Sequence, residues 1–553
     1  MKFTKEKFAL YGILCVAIFL RIWKLDSIPN GFYVDEAVIG YNAYSILLTG
    51  RDEWGKYFPI FFKSFDAYSS PLYAYLTTVF IKIFGLSVFS VRLLSALCGV
   101  VGTYIFFEIL KALKIYKNKV AVYIGALMFA LSPWSIFFSR GAYEANLALM
   151  LLMLSVLLLI NAGKTAKLII VAFALLGLSA YAYQAERLLG VVIVTGASLH
   201  FLLRKGNKKY VMWANVFYFT ILAPQIALLF TESFASRASG LFYSDVVLSE
   251  SQKIYYLPPN VTKMLVFARE FFSRLVSYIN PKNIFFTADP DAQRSIPELS
   301  VLFPWMVTPF LYGFYHICNN IKKYYLVGLL VVFFASVPAL TRDPFSTLRS
   351  LQLLPLYIFI ITLGIDRMLT YRYRLVLFGV ATLLCMSVVS LWRSYFVLFP
   401  VERAEVWGYG YKQIADYAVS HSSQEMIVDT SRVKPPYILF AFYMKFPPQE
   451  FQELNRYKGN YYSLDTMFSN KYKFANIETR IINWEEDVYR QQVLVGDVLA
   501  ISAQQATEHK LTKVLEVVSP SKNILFVGYE TNPQAKCESE NYLNTHCASI
   551  DLL

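Results

Sequence analysis

The sequence predicts a polytopic α-helical membrane protein of about 11 spans with a small extracytoplasmic α/β domain at its carboxy-terminal end. Three observations predict it. Of 553 residues, 56% are hydrophobic and only 16% charged, and the mean hydropathy is +0.44, too apolar for a soluble chain of this length. Apolar runs of about the 20 residues a membrane helix needs recur along the first 400 positions. From 401 to 553 the composition turns polar, with short apolar runs such as EMIVDT, VLAISA and NILFVGY between helix-like stretches, as in a small α/β fold.

The first span is predicted near residues 8 to 23. It follows MKFTKEK, lacks a small-residue cleavage site and runs on into RIWKLD, so it reads as an uncleaved span rather than a signal peptide. Further spans are predicted near 88–110, 119–138, 145–162, 167–183, 188–204, 211–230, 299–317, 323–340, 350–368 and 374–395. PLYAYLTTVFIKIFG at 71–85 is short and contains Lys82. Treated as interfacial rather than as a twelfth span, it leaves MKFTKEK, KALKIYKNK, NAGKTAK, RKGNKK, NNIKK and RMLTYRYR all on one side, which the positive-inside rule makes cytoplasmic.

The net charge of +14 is thus read as basic cytoplasmic loops, with no nucleic-acid partner implied. The amino terminus is expected in the cytoplasm. A catalytic membrane domain of 1–400, with a first outer loop at 24–87, precedes an extracytoplasmic domain of 401–553. Zinc-type cysteine spacing is absent. Cys537 and Cys547, ten apart in a polar segment, are either a disulfide or two unpaired surface thiols.

The outer loops hold the charges with chemical potential. Asp35 and Glu36 follow Pro29 and Gly31 and precede AVIGYNAYSILL, an amphipathic helix pattern. A carboxylate there is either a helix cap or a group with a task, since a second one at a membrane boundary costs desolvation. Asp66 and Glu144 lie on the same face by this topology. Arg92, Arg140, Arg187, Arg294 and Arg349 stand at outer span ends, where a guanidinium fork suits a phosphate, or where each simply snorkels or pairs. Tyr33, Tyr41, Tyr68, Tyr181 and Tyr183 are either sugar-stacking rings or an aromatic belt. No Walker A loop, GxSxG elbow or HExxH is present, so ATP-driven transport, serine hydrolysis and zinc proteolysis lack their parts.

A first span ending in R-x-W-x-L, then P-x-G-F-x-x-DEA-x-x-GYNA, D-x-WG-x-x-x-P, S-PLYAYL and FG-x-S-x-x-SVRL-x-SAL, resembles the opening of the polyprenyl-phosphate-dependent GT-C glycosyltransferases. It is similar to the protein O-mannosyltransferase and lipid A aminoarabinose transferase superfamily. Weaker likeness runs through SPWSIFFSRGAYEANL, SAYAYQAER and TLRSLQLLP. The resemblance implies that Asp35 is the catalytic base, with Glu36 its neighbour. It implies that Asp66 and Glu144 are further acidic site residues, and that Arg187 and Arg349 lie near the donor phosphate. Tyr68, Arg140, Tyr183 and Arg294 complete the expected substrate contacts. SSPLYAY departs from the doubled-proline form of the aminoarabinose branch, so a lipid A acceptor does not carry over.

The expected partners are a polyprenyl-phosphate sugar donor, membrane lipids, and a protein, lipid or glycan acceptor. The sequence establishes no cofactor, and a divalent metal held by Glu36, Asp66 or Glu144 is one way to stabilise the leaving phosphate. The competing class is a flippase or transporter of lipid-linked saccharides, for which broken midplane helices and repeats would be expected.

Overall fold

The computed structural model describes residues 5–64, 67–203, 207–228, 243–432, 436–454, 461, 471–540 and 544–549. The chain opens with α1 (Lys5–Ile22) and α2 (Val34–Thr49). A short hairpin of β1 (Phe62–Ser64) and β2 (Ala67–Ser69) follows, then α3 (Pro71–Phe84) and α4 (Val88–Leu113). Next come α5 (Lys119–Leu131), α6 (Pro133–Arg140), α7 (Glu144–Asn161), α8 (Leu168–Ala182), α9 (Glu186–Leu202) and α10 (Lys208–Leu228).

Among the described residues each expected span overlaps a helix, although residues 299–303 are irregular. Among the described residues α4, α7, Ile321–Ala339 and the stretch Leu351–Glu402 are long and apolar enough to cross a bilayer, and α5 with α6, bent by 47°, makes a fifth candidate. Pro133 at the start of α6 explains the bend, because proline cannot continue the preceding helical hydrogen bonds. The other helices on expected spans are shorter or bring charge at their ends, as α1 does with Lys5, Glu6, Lys7 and Arg21. The spans expected at 350–368 and 374–395 merge into Leu354–Leu391, broken at Arg372, whose backbone is not helical. At 14 residues, α3 is too short to span, since a helix rises only about 1.5 Å per residue.

The carboxy-terminal segment folds around a six-stranded sheet of order β4-β5-β3-β6-β8-β7, with β3 (Met426–Val428), β4 (Tyr472–Phe474), β5 (Ile477–Thr479), β6 (Val493–Gly496), β7 (Thr512–Val518) and β8 (Ile524–Glu530). β3 runs parallel to β5 and β6, and the remaining pairings are antiparallel. Strand alternation divides its side chains. Met426, Val428 and Ile477 join Phe446, Phe451 and Phe474 in the main hydrophobic core, while Ile427, Leu494 and Val527 form a second core with Ile482, Val488 and Ile501. Cys537 and Cys547 form a disulfide, which resolves the alternative left open above.

The first of those cores is continuous with the helical bundle. α2 packs on Tyr437–Tyr443 and Pro448–Leu454 of the tail. The Phe32 and Phe442 rings lie 4.5 Å apart, and the Tyr41 hydroxyl donates to the Phe446 carbonyl at 3.0 Å. The first loop and the tail therefore meet at one end of the bundle.

Candidate active site

Gly31 turns the chain into α2 with φ of +117°, and a Cβ there would stand 2.5 Å from the Trp407 carbonyl oxygen, so only glycine fits. Tyr33 caps the helix and Asp35 and Glu36 occupy its first turn. Adjacent residues on a helix point about 100° apart, and here that separates two fates. Asp35 is exposed and Glu36 is buried. The positive end of the helix dipole favours the negative charge of Asp35 where it meets solvent.

Glu36 corrects an expectation. Its Oε1 accepts from Arg92 Nε at 2.9 Å and from the Ala142 amide at 2.8 Å, while Oε2 accepts from Arg92 Nη2 at 2.8 Å and the Tyr33 amide at 3.2 Å. Arg92, fully buried, spends its remaining donors on the carbonyls of Leu25, Pro29 and Gly31. With four donors already around it, Glu36 is a brace joining α2, α4 and the turn after α6. It is not available as a base or metal ligand.

Arg140 is likewise buried, donating to the carbonyls of Leu20, Trp23, Lys24 and Ile28. It closes the open carbonyl end of α1 rather than meeting a substrate. The Tyr68 hydroxyl donates to the Tyr461 carbonyl of the tail at 2.6 Å. Asp66 lies outside the described residues.

Arg294 and Arg349 do come together. Arg294 closes a short helical turn (Ala292–Arg294) and is within 3.6 Å of Asp289, 3.3 Å of Asp291 and 3.3 Å of Asp343. Arg349 meets the same Asp343 oxygen at 3.4 Å. Asp289 is buried and fixed by the amide and hydroxyl of Thr347, each at 2.8 Å, so it ties the 289–294 loop to the 341–349 loop. The sequence reading passed over Asp289, Asp291 and Asp343, although DPDAQR and TRDPFSTLR contain them beside the arginines it did choose.

Tyr33 connects this cluster to the start of α2. Its hydroxyl meets the Gln293 side chain and feels Asp35, Asp291 and Arg294, and burial first, then Asp35, pushes it up to about 12. Tyr183 is 8% exposed, leaving little ring face to stack on a sugar, and it lies within electrostatic reach of Arg349, Glu144, Arg294 and Glu186. Glu144 begins α7 and is half-buried. Arg187 is also half-buried, over the Phe61 ring at 5.0 Å. The structure thus gathers Asp35, Arg294 and Arg349, with Tyr33 between them and Tyr183 and Glu144 alongside.

Arg294 also lines a small cleft together with Trp134, Phe137, Phe138, Asp289 and Thr347. Among the described residues no group of three or more His, Cys, Asp or Glu is arranged to hold a metal ion.

Residues 68–229 match the family model described as dolichyl-phosphate-mannose-protein mannosyltransferase. No curated protein matches the sequence. Among solved structures the chain is similar to ArnT from Cupriavidus metallidurans bound to undecaprenyl phosphate, with a TM-score of 0.53 and 11% identity over 94% of this chain and 97% of that one. It is also similar to the archaeal oligosaccharyltransferase AglB from Archaeoglobus fulgidus, in complex with an inhibitory peptide and a dolichol-phosphate, with a TM-score of 0.49 and 11% identity over 96% and 75%. The arabinofuranosyltransferase AftD from Mycobacteria aligns more loosely, with a TM-score of 0.39 and 13% identity over 96% and 42%. Likeness at these identities shows a shared fold, and the two looser alignments carry no argument. Residues 68–229 thus match a mannosyltransferase family model, and the chain shares its fold with ArnT along nearly its whole length.

Proposed function

We propose that the protein transfers a monosaccharide from a polyprenyl-phosphate donor to an acceptor hydroxyl at the extracytoplasmic face of the membrane. The observation that carries this reading is the exposed Asp35 at the start of α2, joined through Tyr33 to the Arg294 and Arg349 pair. A base and an anion-binding group are the two parts such a displacement needs. The undecaprenyl phosphate in the similarly folded ArnT structure supports a lipid-phosphate donor. The Cys537–Cys547 disulfide and the basic loops of the opposite side support an outer location for the tail.

In this mechanism the Asp35 carboxylate takes the proton of the acceptor hydroxyl as its oxygen attacks the anomeric carbon. The bond from that carbon to the phosphate oxygen breaks, and its electron pair leaves with polyprenyl phosphate from the opposite face, so the centre inverts. Arg349, 21% exposed at its side chain, and Arg294 offset the charge that grows on the departing phosphate. Asp343 holds both guanidinium groups in place and yields part of their hydrogen bonding when the phosphate arrives. No step passes through a metal.

Purified protein in lipid, supplied with a panel of polyprenyl-phosphate monosaccharides and an acceptor extract, tests the reading through release of polyprenyl phosphate. Release by wild type and loss in Asp35→Asn supports it. Transbilayer movement of the donor without release, equal in both proteins, supports a flippase and returns Asp35 to a helix cap.

A further inference from the structure

The D-x-WG motif of the first loop contains a second acidic pair, Asp52 and Glu53, and both are completely buried. Neither faces the site just described. Glu53 is locked to α2 in both directions: Asn42 Nδ2 donates to Glu53 Oε1 at 3.0 Å, and the Glu53 amide donates to Asn42 Oδ1 at 3.0 Å. Its other oxygen accepts from the Tyr437 hydroxyl of the tail at 3.2 Å. Asp52 accepts from the Tyr461 hydroxyl, which in turn accepts from the Lys63 amide at 2.9 Å. Gln452 of the tail donates to Ser45, Thr49 and the Asp52 carbonyl, at 2.9 to 3.0 Å.

A buried carboxyl pair needs such partners, because an unpaired one costs several kcal/mol. What the partners join matters more. The Glu36–Arg92 brace fixes the first turn of α2. Asn42, Ser45 and Thr49 lie about two to three and a half turns further along, and their links to Glu53 and to Gln452 of the tail fix its direction as well.

We propose that Asp52 and Glu53, acting through Tyr461 and Tyr437, are positioning residues that hold α2 on the tail and so set where Asp35 stands in the site. The tail is then part of the catalytic geometry and not only a cover. The inference rests on the function proposed above for its kinetic half and on the fold alone for its structural half.

The groups facing the pair are Tyr41 and Asn42 from α2, Lys56 and Lys63 from the first loop, Tyr437 and Gln452 from the tail helices, and Tyr461. Burial, the largest effect on each, pushes Asp52 up to about 6 and Glu53 up to about 8. The alignment of α2 is therefore expected to loosen as pH rises toward 8.

The test uses the full-length protein in lipid as wild type, Glu53→Ala, Glu53→Gln and Tyr461→Phe. Amide hydrogen exchange of residues 34–49 is read beside kcat and donor KM. Glu53→Ala and Tyr461→Phe are expected to speed exchange at least tenfold and lower kcat at least tenfold, with KM moved less than threefold. Glu53→Gln, which keeps the shape and removes the charge, is expected to stay within threefold of wild type and to flatten the alkaline limb of the kcat profile. Unchanged exchange in both disruptive variants overturns the proposal, and so does faster exchange with unaltered kcat. If wild type turns over no donor, the glycosyltransferase reading falls, and exchange alone decides whether the pair holds α2.

Discussion

Two adjacent carboxylates, Asp35 and Glu36, show how much a single helical step decides. Asp35 faces solvent and Glu36 sits among four donors. Asp35→Asn is expected to leave folding intact and lower turnover by about 10² to 10⁴-fold, the usual weight of a general base, as read by polyprenyl phosphate release. Glu36→Ala removes the partner of a buried guanidinium and is expected to cost about 3–5 kcal/mol, read as lost folded yield and a lower melting temperature. The pair was visible in the sequence, but the division of labour was not, because it depends on Arg92, 56 positions away. The same holds for Arg140. Its place at an expected span end resembles that of Arg349, yet the carbonyls at the end of α1 claim it.

Among elements, α2 is constrained along its whole length. Gly40, the glycine of the GYNA motif, packs between α4 and the tail: a Cβ there would stand 2.7 Å from a Phe442 ring atom and 2.8 Å from a Val91 methyl. Gly40→Ala is expected to destabilise by about 1–3 kcal/mol through overpacking, checked by thermal unfolding of the protein in lipid. The motif looked like part of a site, and the structure assigns its glycine, tyrosine and asparagine to the seat of the tail. The helix pattern itself was legible, since a 3.6-residue period shows in any amphipathic stretch. Which partner covers each face was not, because residues 437–454 lie some four hundred positions further on.

For the whole molecule, the consequence of burying Asp52 and Glu53 is a stability that depends on pH. Glu53 is held at about 8 instead of 4.5, and Asp52 at about 6 instead of 3.8. Between those values the folded protein keeps protons that the unfolded chain releases, so the contribution of this pair to stability is full below about pH 4 and is lost as pH rises toward 8. A series of melting temperatures from pH 5 to 8 is expected to decline in wild type and to decline less in Glu53→Gln. Reducing the Cys537–Cys547 bond, which closes a short loop at the end of the tail, is expected to lower tail stability by about 2–3 kcal/mol while leaving turnover within a few-fold, measured on the reduced, alkylated protein.

The sequence by itself determined a multi-pass helical protein with an α/β tail, and a motif block that resembles the GT-C glycosyltransferases. Hydropathy and periodicity are local properties, and motif spacing survives without knowledge of contacts. Only the tertiary structure decided which charges work and which hold the protein together. It buried Glu36 and Arg140 among backbone and side-chain partners, set Asp289, Asp291 and Asp343 beside Arg294 and Arg349, and buried Asp52 and Glu53 between α2 and the tail. Burial and pairing of a charge depend on residues brought in from elsewhere in the chain, and the sequence does not state which ones arrive.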